Sequence, residues 1–408
     1  EKVASAYSDN QVDFFAKKLY SKSVMEGKIT GGYNSVLFYG YNPELDTVLK
    51  KDDIRQKIYS ASAEMRFYST RTDSNHLEYN AGMKYLYTQD GLSYFEHGLR
   101  SDVSLRKFIG DWYTGADIGL QLYSPSDDLD TFKNSLFSFS PVMSKSTPEW
   151  KFMVGLNATY DKHDDANIHI YPRAKFEFNI VKDVLIPYMG LDGYREVNNY
   201  RKLLFENPFI RPGFRAKNSD YGMIAYFGMK GKYSSKMSFD MQLSYSTISD
   251  MYFYVNDTSL YLQNQFIAEY DNGSILKASG EVTWNQNENL RLVFSADYYK
   301  YELDNLEHPW HRPAFEASLS GSYNLRDKIL VDASFFYSGK RYAYGKYLDG
   351  QVRELQGFFD ANLAIEYRYT KLLSFFVRLN NFAAAKYNTW NQYPVQRFQI
   401  LGGFTYAL

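Results

Sequence analysis

The chain has 408 residues, with 46 Lys and Arg against 47 Asp and Glu, no Cys, and 18% aromatic residues (39 Tyr, 30 Phe and 5 Trp). This aromatic content excludes a disordered chain, the lack of Cys excludes a disulfide scaffold and thiolate chemistry, and a net charge of −1 gives no basis for nucleic-acid binding. No stretch approaches 18 consecutive apolar residues, which excludes a helical membrane protein and leaves a large, Tyr-rich β protein.

Alternation of apolar and polar residues is the main pattern along the chain. Residues 1–7 lack the apolar stretch of a signal peptide, so either a leader has been removed or the sequence starts inside a longer protein. From about Gln11 onward, apolar side chains recur at every second position, which indicates strands with one apolar and one polar face. The clearest segments are 150–160, 237–245, 315–323, 331–337, 359–369, 373–379 and 398–408.

Two kinds of connection alternate between the predicted strands, which is typical of an up-and-down meander. Short polar turns such as 144–148 and 324–328 alternate with long segments at about 43–56, 124–134, 196–220, 250–273, 304–311, 342–355 and 384–394. A helical period appears only at 198–207, and no linker divides the chain, so residues 1–408 are predicted to form one domain, whose N-terminal part either begins at residue 1 or lies upstream of it. The turns imply about 19 strands; because bacterial barrels have even counts, we expect about 20, with 16 to 22 allowed.

The apolar face of so large a sheet has no protein to cover it. An open sheet would leave two unpaired edges, and closure into a barrel removes them. In hydrocarbon, only helices and closed barrels satisfy every backbone group. A propeller would show a repeat of about 40–50 residues, which the chain lacks. We therefore predict an all-β fold, a transmembrane antiparallel up-and-down β-barrel with short periplasmic turns and long extracellular loops, in the bacterial cell outer membrane. Aromatic residues at the ends of the apolar rows match membrane girdles: Trp150, Tyr160, Tyr245, Tyr323 and Tyr337.

The C-terminal segment carries the motifs of a known family. They are Asn380-Asn381-Phe382, Tyr387, Tyr393-Pro394 with Arg397, and the ending Gly402-Gly403-Phe404-Thr405-Tyr406-Ala407-Leu408. Over about the last 110 residues, the chain resembles TonB-dependent outer-membrane receptor barrels, especially those of Bacteroidota-type bacteria. The resemblance implies that Phe404, Tyr406 and Leu408 form the signal that the barrel-assembly machinery recognises, although the usual final residue is Phe.

The resemblance leaves two functions open. Receptors of this family carry an N-terminal plug and a TonB-engaging motif, and this sequence has neither. A plug-less barrel is predicted to be a structural or interaction subunit of an outer-membrane complex, such as one for envelope protein assembly or export. Its partners would be outer-membrane lipid, lipopolysaccharide and other outer-membrane or surface lipoprotein subunits. The alternative is a TonB-dependent receptor that imports a metal chelate or a glycan and whose plug lies upstream of residue 1.

Candidate contact residues lie in the long connecting segments. Aromatic side chains with an exposed position could stack on a ligand or a partner, or could belong to the aromatic girdle instead. The candidates are Tyr252, Tyr254, Trp310, Tyr342, Tyr344 and Trp390. The polar segment with His163, Asp165 and His169 is a weak metal candidate, since a solvated loop has the same composition. The histidines of His308-Pro309-Trp310-His311 form a similarly weak ligand pair.

No enzyme activity and no cofactor are predicted. No GxSxG-like elbow appears in the sequence. The charged residues on the polar faces are expected to form cross-strand pairs and to have no catalytic role; they are Glu316, Asp332, Asp360, Glu366, Arg368, Arg378 and Arg397. The segment 194–220 is rich in basic residues, which could meet lipopolysaccharide phosphates or simply be solvated.

Overall fold

The computed structural model describes residues 7–41, 49–71, 75–126, 133–162, 166–181, 184–214, 216–344 and 352–407. The first half of the chain forms β1 (Ser8–Leu19), β2 (Ser23–Leu37), β3 (Arg55–Ser69), β4 (Glu78–Asp90), β5 (Phe95–Ile109), β6 (Trp112–Pro125), β7 (Asn134–Ser146), β8 (Trp150–Lys162), β9 (Ala166–Phe178) and β10 (Ile186–Glu196). The short helix α1 (Tyr200–Glu206) follows. No helix within these described ranges is long and apolar enough to cross a membrane.

The second half of the chain is also built of strands. They are β11 (Ser219–Ser234), β12 (Met237–Asn256), β13 (Phe266–Asn287), β14 (Leu290–Leu303), β15 (Phe315–Leu325), β16 (Ile329–Ser338), β17 (Arg341–Tyr344), β18 (Val352–Leu355), β19 (Phe358–Arg368), β20 (Leu373–Asn380), β21 (Asn388–Trp390), β22 (Tyr393–Pro394) and β23 (Gln399–Tyr406).

The main sheet is antiparallel and contains 19 of the described strands. Strands that follow one another in the chain pair with each other, and the hairpins β17–β18 and β21–β22 form two small separate sheets. This arrangement confirms the predicted all-β, up-and-down fold, and the 19 strands of the main sheet lie within the predicted range of 16 to 22. The helical period at 198–207 is confirmed as α1.

The chain forms two compact units. Unit 1 contains residues 1–176, 190–224 and 247–272, and unit 2 contains residues 177–189, 225–246 and 273–408. The division says nothing for or against one evolutionary domain, so the single-domain assignment stays a prediction.

The alternation predicted for unit 2 is present in the strand register. Phe294 of β14, Leu319 of β15, Phe335 of β16 and Ala361 of β19 are cross-strand neighbours in one row. Phe294 and Leu319 are exposed, as are Tyr298, Phe315 and Tyr323 on the same face, whereas Ala361 at the other end of the row is buried. The pleat of a strand places successive side chains on opposite faces, so the exposed residues of β14 and β15 form an uncovered apolar face.

Unit 1 contains a buried core at the end of its strands where the long connections lie. We call this the loop core; it is formed by Tyr200, Leu203, Leu204, Ile210, Phe253, Tyr254 and Phe266. The helix α1 contributes Tyr200, Leu203 and Leu204, whose spacing of three and four residues places them on one face. Asn199 caps the helix, because its side-chain oxygen accepts a hydrogen bond from the Lys202 amide at 3.1 Å.

One predicted connection is wrong in its extent. The segment 250–273 is not a long loop, because β12 continues to Asn256 and β13 begins at Phe266. The extra strand residues of β12 are apolar and pack into the loop core, where Phe253 is fully buried. Burial of this run without an alternating polar face is the reason that period-2 analysis did not identify it as strand.

Candidate functional site

Aromatic and imidazole side chains of unit 2 come together from three connecting segments. His308, Trp310 and His311 lie between β14 and β15, whereas Tyr342 and Tyr344 lie on β17 and Trp390 lies on β21. We call this group the loop aromatic cluster. Four of the six residues predicted to contact a ligand or partner are therefore brought together, and two predicted histidines accompany them.

Ring contacts organise the cluster. The His308 ring stacks on Tyr342 with centroids 4.1 Å apart and an interplanar angle of 13°. Trp310 meets His308 edge to face at 5.4 Å and lies 5.7 Å from Tyr344. Such aromatic pairs contribute about 0.5–1.5 kcal/mol each beyond the area that they bury. The contacts hold two loop segments together while Tyr342 and Tyr344 remain partly exposed.

His311 and Asn391 connect the third segment to the cluster. The His311 amide donates to the Tyr342 carbonyl at 2.8 Å, and the His311 Nε2 atom accepts from the Asn391 amide at 3.1 Å. The imidazole ring also lies 5.3 Å from Trp390. Because Nε2 acts as an acceptor, the ring nitrogen that would bind a metal is already engaged, and His311 serves to position the segment.

A charged layer lies next to the cluster. The buried Arg341 donates to the carbonyls of Asn388 and Thr389 at 2.6 and 2.9 Å, and its guanidinium lies 5.1 Å from the Phe358 ring. Phe358 stacks on Tyr387, whose hydroxyl donates to Asp360. Burial, and then this hydrogen bond, raise the pKa of Tyr387, so the phenol stays protonated and remains a donor.

Several polar atoms at this end of unit 2 lack a partner among the described residues. The Nε1 atom of Trp310 is a buried donor without an acceptor, and the Nε atom of Arg341 is another. The side-chain oxygen of Gln392 is a buried acceptor without a donor. An unmade buried hydrogen bond costs about 1–3 kcal/mol, so a ligand or a water molecule that supplies these partners would be stabilised here.

The structure contradicts the expected exposure of three predicted contact residues. Tyr252 and Tyr254 lie in β12 and are only 8% and 2% exposed, and Trp310 is 4% exposed. The Tyr254 hydroxyl donates to the Leu203 carbonyl at 3.2 Å, and the Tyr252 hydroxyl donates to Glu206 at 2.6 Å. Both tyrosines thus hold α1 in the loop core. The contact role predicted for Tyr342, Tyr344 and Trp390 stays a prediction.

The metal candidates do not assemble within the described residues. His163 and Asp165 lie outside the described ranges. His169 lies in β9, where its Nδ1 atom is 3.1 Å from Asp220 and its ring stacks on Tyr171. Across the described part of the chain, no group of three or more His, Cys, Asp or Glu residues is placed to hold a metal ion.

The charged residues of the polar face pair differently from the prediction. Arg368 lies 3.7 Å from Glu366 on the same strand, and Asp332 accepts a hydrogen bond from Ser322. Cross-strand ion pairs do form, but between other residues. They are Lys84–Glu64 at 2.9 Å, Arg106–Asp117 at 2.7 Å and Lys277–Asp297 at 3.0 Å. Sequence alone gives the face of a charge but not the strand register that selects its partner.

Three cations of the basic segment 194–220 form ion pairs within unit 1. Arg195 lies 2.7 Å from Asp161, Lys202 lies 2.8 Å from Glu196, and Arg211 lies 2.9 Å from Asp257. These three cations already have carboxylate partners, which favours an internal role over recognition of an external phosphate.

A carboxylate that sequence reasoning missed anchors α1. Glu96 of β5 accepts hydrogen bonds from the amides of Tyr200 and Arg201 at 3.1 and 3.2 Å and from the Asn199 side chain at 2.9 Å. The side chain is buried, at a helix N-terminus where backbone donors would otherwise be unpaired. Over 100 residues separate Glu96 from α1, so only the fold brings them together.

The C-terminal strand β23 carries two residues of the predicted assembly signal. Phe404 and Tyr406 are exposed, and Phe404 is the cross-strand neighbour of Phe375 on β20. Leu408 lies outside the described residues. Recognition of this strand by the assembly machinery stays a prediction.

Comparison with known proteins gives a fold. No family model matches the chain, and no curated protein matches it in sequence. Among solved structures, it is similar to the siderophore receptor PirA from Acinetobacter baumannii (TM-score 0.72, 10% identity, 98% of this chain and 71% of that chain). It is also similar to the pyoverdine outer membrane receptor FpvA from Pseudomonas aeruginosa (TM-score 0.69, 10% identity, 98% of this chain and 72% of that chain). A third similar structure is the copper transporter OprC (TM-score 0.67, 12% identity, 98% of this chain and 72% of that chain). At these identities the similarity shows the receptor-type fold.

Proposed function

We propose that the chain is the barrel of a TonB-dependent outer-membrane receptor that binds a small nutrient at its loop aromatic cluster. The observation that carries the proposal is the cluster itself, in which partly exposed rings adjoin buried polar atoms without partners. The receptor-type fold supports it, since solved proteins of this fold include siderophore receptors and a copper transporter.

The uncovered apolar face supports an outer-membrane location. Met241, Leu243, Phe294, Leu319 and Phe375 are large apolar side chains that the described residues leave exposed on the strands of unit 2. Exposed apolar rows of this extent are unfavourable in water, whereas hydrocarbon solvates them. An antiparallel sheet with such a face fits an outer-membrane barrel of a Gram-negative bacterium, in contact with lipid and lipopolysaccharide.

The chemistry of the cluster favours a planar ligand with oxygen atoms. Stacked rings such as His308 and Tyr342 provide apolar faces, on which catecholate rings or sugar rings can lie. The unpaired Trp310 donor would meet an oxygen of the ligand. Apolar ring faces beside a few polar groups are typical of surfaces that bind small molecules. A metal chelate or a glycan therefore fits the cluster.

Tryptophan fluorescence tests the proposal directly. The chain has 5 Trp, and two of them lie in the cluster. Titration of the folded protein in detergent with a ferric catecholate or a soluble oligosaccharide should quench the emission and saturate. The Tyr342→Ala and Trp390→Ala variants should weaken binding, each by about 0.5–1.5 kcal/mol for a lost stacking contact.

The matched control is Tyr261→Ala, which removes an exposed tyrosine from the connecting segment of unit 1. Tyr261 is 71% exposed, so its loss should not disturb the fold. Binding should be unchanged in this variant. A protein that binds neither class of ligand, or that loses binding equally in all three variants, would overturn the proposed site.

A second function, an interaction subunit of an outer-membrane complex, is favoured by the packing of unit 1. There the loop core fills the end of the strands, and the cavity beside Tyr94, Asn134 and Tyr200 is only about 20 Å³. A cavity of this size holds one water molecule and no chelate. Native mass spectrometry after gentle extraction distinguishes the two functions, since stoichiometric co-purifying proteins without bound nutrient would support the subunit.

A further inference from the structure

The short-turn end of unit 2 contains an open vestibule that the proposed receptor function does not use. Its volume is about 710 Å³, and it lies between the turn that joins β15 to β16 and the turn that joins β19 to β20. Four cations line it against two carboxylates. The cations are Arg326, Lys328, Arg368 and Lys371, and the carboxylates are Asp327 and Glu366. We call this region the basic vestibule.

The strand register places part of the basic vestibule on the polar face. Arg368 of β19 pairs with Ser374 of β20, which pairs with Thr405 of β23. The Arg368 amide also donates to the Lys328 carbonyl at 2.8 Å, which extends the row to the neighbouring turn. These residues alternate with the exposed apolar side chains Tyr367 and Phe375. A lipid tail would lie against the opposite face, so the vestibule is not a lipid site.

Three of the four cations in the vestibule have no ion-pair partner among the described residues. Among the described residues, no carboxylate lies within ion-pair distance of Arg326, Lys328 or Lys371, whereas Arg368 has a long contact of 3.7 Å to Glu366. Asp327 accepts a hydrogen bond from Asn324 at 2.6 Å, and because Asn324 is neutral this bond does not cancel the carboxylate charge. The four cations and two carboxylates leave a net formal charge of +2 in the lining, which attracts acidic groups.

Arg326 lies in a turn with left-handed backbone angles. Arg326 and Asp327 have φ angles of 55° and 57°, in the left-handed region that Gly, Asn and Asp adopt most easily. A residue with a long side chain adopts this region less easily than glycine does. The guanidinium is thus present at a position where the turn itself favours another residue.

From this geometry we propose that the basic vestibule is a docking site for an acidic segment of a polypeptide. The cations are spread over two turns and a strand end, so they match carboxylates along an extended chain better than one compact anion. The hydroxyls of Ser374 and Thr405 and the apolar side chains of Leu372 and Leu373 complete a mixed lining that suits peptide backbone and side chains. The proposal is independent of the ligand at the loop aromatic cluster.

The test measures binding of a fluorescein-labelled oligo-glutamate peptide to the full chain, folded in detergent micelles, by fluorescence anisotropy. We expect binding at low salt that weakens as the ionic strength rises, because exposed charges are screened over about 10 Å at 0.1 M salt. The double variant Arg326→Gly/Lys371→Gln should lose about tenfold in affinity. Arg326→Gly also relieves the left-handed arginine, so misfolding does not explain a loss of binding.

The matched control is Lys236→Gln, which removes one cation from the short turn between β11 and β12, also in unit 2 but outside the vestibule. Its affinity should stay within about twofold of the parent value, which is well below the tenfold effect. Failure of the peptide to bind at low salt, or equal losses in the double variant and in Lys236→Gln, would overturn the proposal. Displacement of the peptide by inorganic phosphate at matched ionic strength would also overturn it, because the site would then be a simple anion site.

Discussion

The connecting segments of unit 1 bury their apolar side chains, whereas those of unit 2 leave ring faces partly open. In unit 1, Leu203, Ile210 and Phe266 are completely buried around α1. In unit 2, Tyr342 and Tyr344 stay partly exposed, and the Nε1 atom of Trp310 has no partner among the described residues. A closed core contributes stability, and an open cluster with unmade hydrogen bonds is suited to contact with another molecule. The same alternating strands therefore support a structural region in one unit and a contact region in the other.

Truncation of the loop core should have the largest effect. Phe266 is 0% exposed, and its backbone holds the chain through bonds to Phe209 and Arg211. Phe266→Ala should destabilise the loop core by about 3–5 kcal/mol, because a buried ring leaves a cavity. Hydrogen exchange of the α1 amides measures this local opening. Tyr261→Ala is the exposed control, and equal exchange in the two variants would show that the core in unit 1 is not closed.

An arginine introduced on either face of β15 should distinguish the face that contacts lipid from the face that contacts water. Leu319 is 41% exposed on the apolar face, and Ser320 is its neighbour on the polar face. Leu319→Arg should cost about 2–4 kcal/mol in unfolding free energy if this face meets hydrocarbon. Ser320→Arg should have a much smaller effect. The measurement is reversible unfolding in lipid vesicles, and similar losses for both variants would contradict the face assignment.

Replacement of the Glu96 carboxyl by an amide should loosen α1 without opening the whole loop core. The side chain introduced by Glu96→Gln keeps one oxygen as an acceptor. Its second oxygen is replaced by an NH2 group, which is a donor and cannot accept a hydrogen bond from the backbone amides of α1. At least one of the three bonds from Asn199, Tyr200 and Arg201 should be lost. The expected cost is about 1–3 kcal/mol, seen as faster hydrogen exchange confined to the first turn of α1. Glu149→Gln, in an exposed turn, should change nothing.

The fold was accessible from sequence because strand alternation is local. The residues alone show which side chains share a face of a strand, for example Leu319 and Tyr323 on one face of β15 and Ser320 and Ser322 on the other. The strand run at the end of β12 was missed because burial on both faces removes the period of two. Tyr254 lies in this run and is buried, although its place in a predicted connection indicates an exposed residue.

The candidate site was only partly accessible, because it depends on contacts between distant segments. The sequence identifies Trp310, Tyr342 and Trp390 as aromatic residues in connecting segments, but the fold produces the contacts that link them through His308 and His311. Glu96 lies in an ordinary alternating strand, and nothing in its neighbourhood marks it as the anchor of α1. The sequence indicates residue type and face, and tertiary pairing selects the partners.

The ion pair between Lys84 and Glu64 should show the smallest effect, and it tests how wet the polar face is. The two groups lie 2.9 Å apart across β3 and β4, and their side chains are about 40% exposed. An exposed pair contributes about 0.2–1 kcal/mol, since water solvates both charges well and salt screens them. A double-mutant cycle with Lys84→Gln and Glu64→Gln, measured by unfolding at low and high salt, isolates that coupling. We expect a coupling energy in this range that shrinks toward zero at high salt. A coupling energy that is several times larger and insensitive to salt would mean that this face is shielded from water. The polar residues of this face would then form a buried hydrogen-bonded network and not a solvated surface.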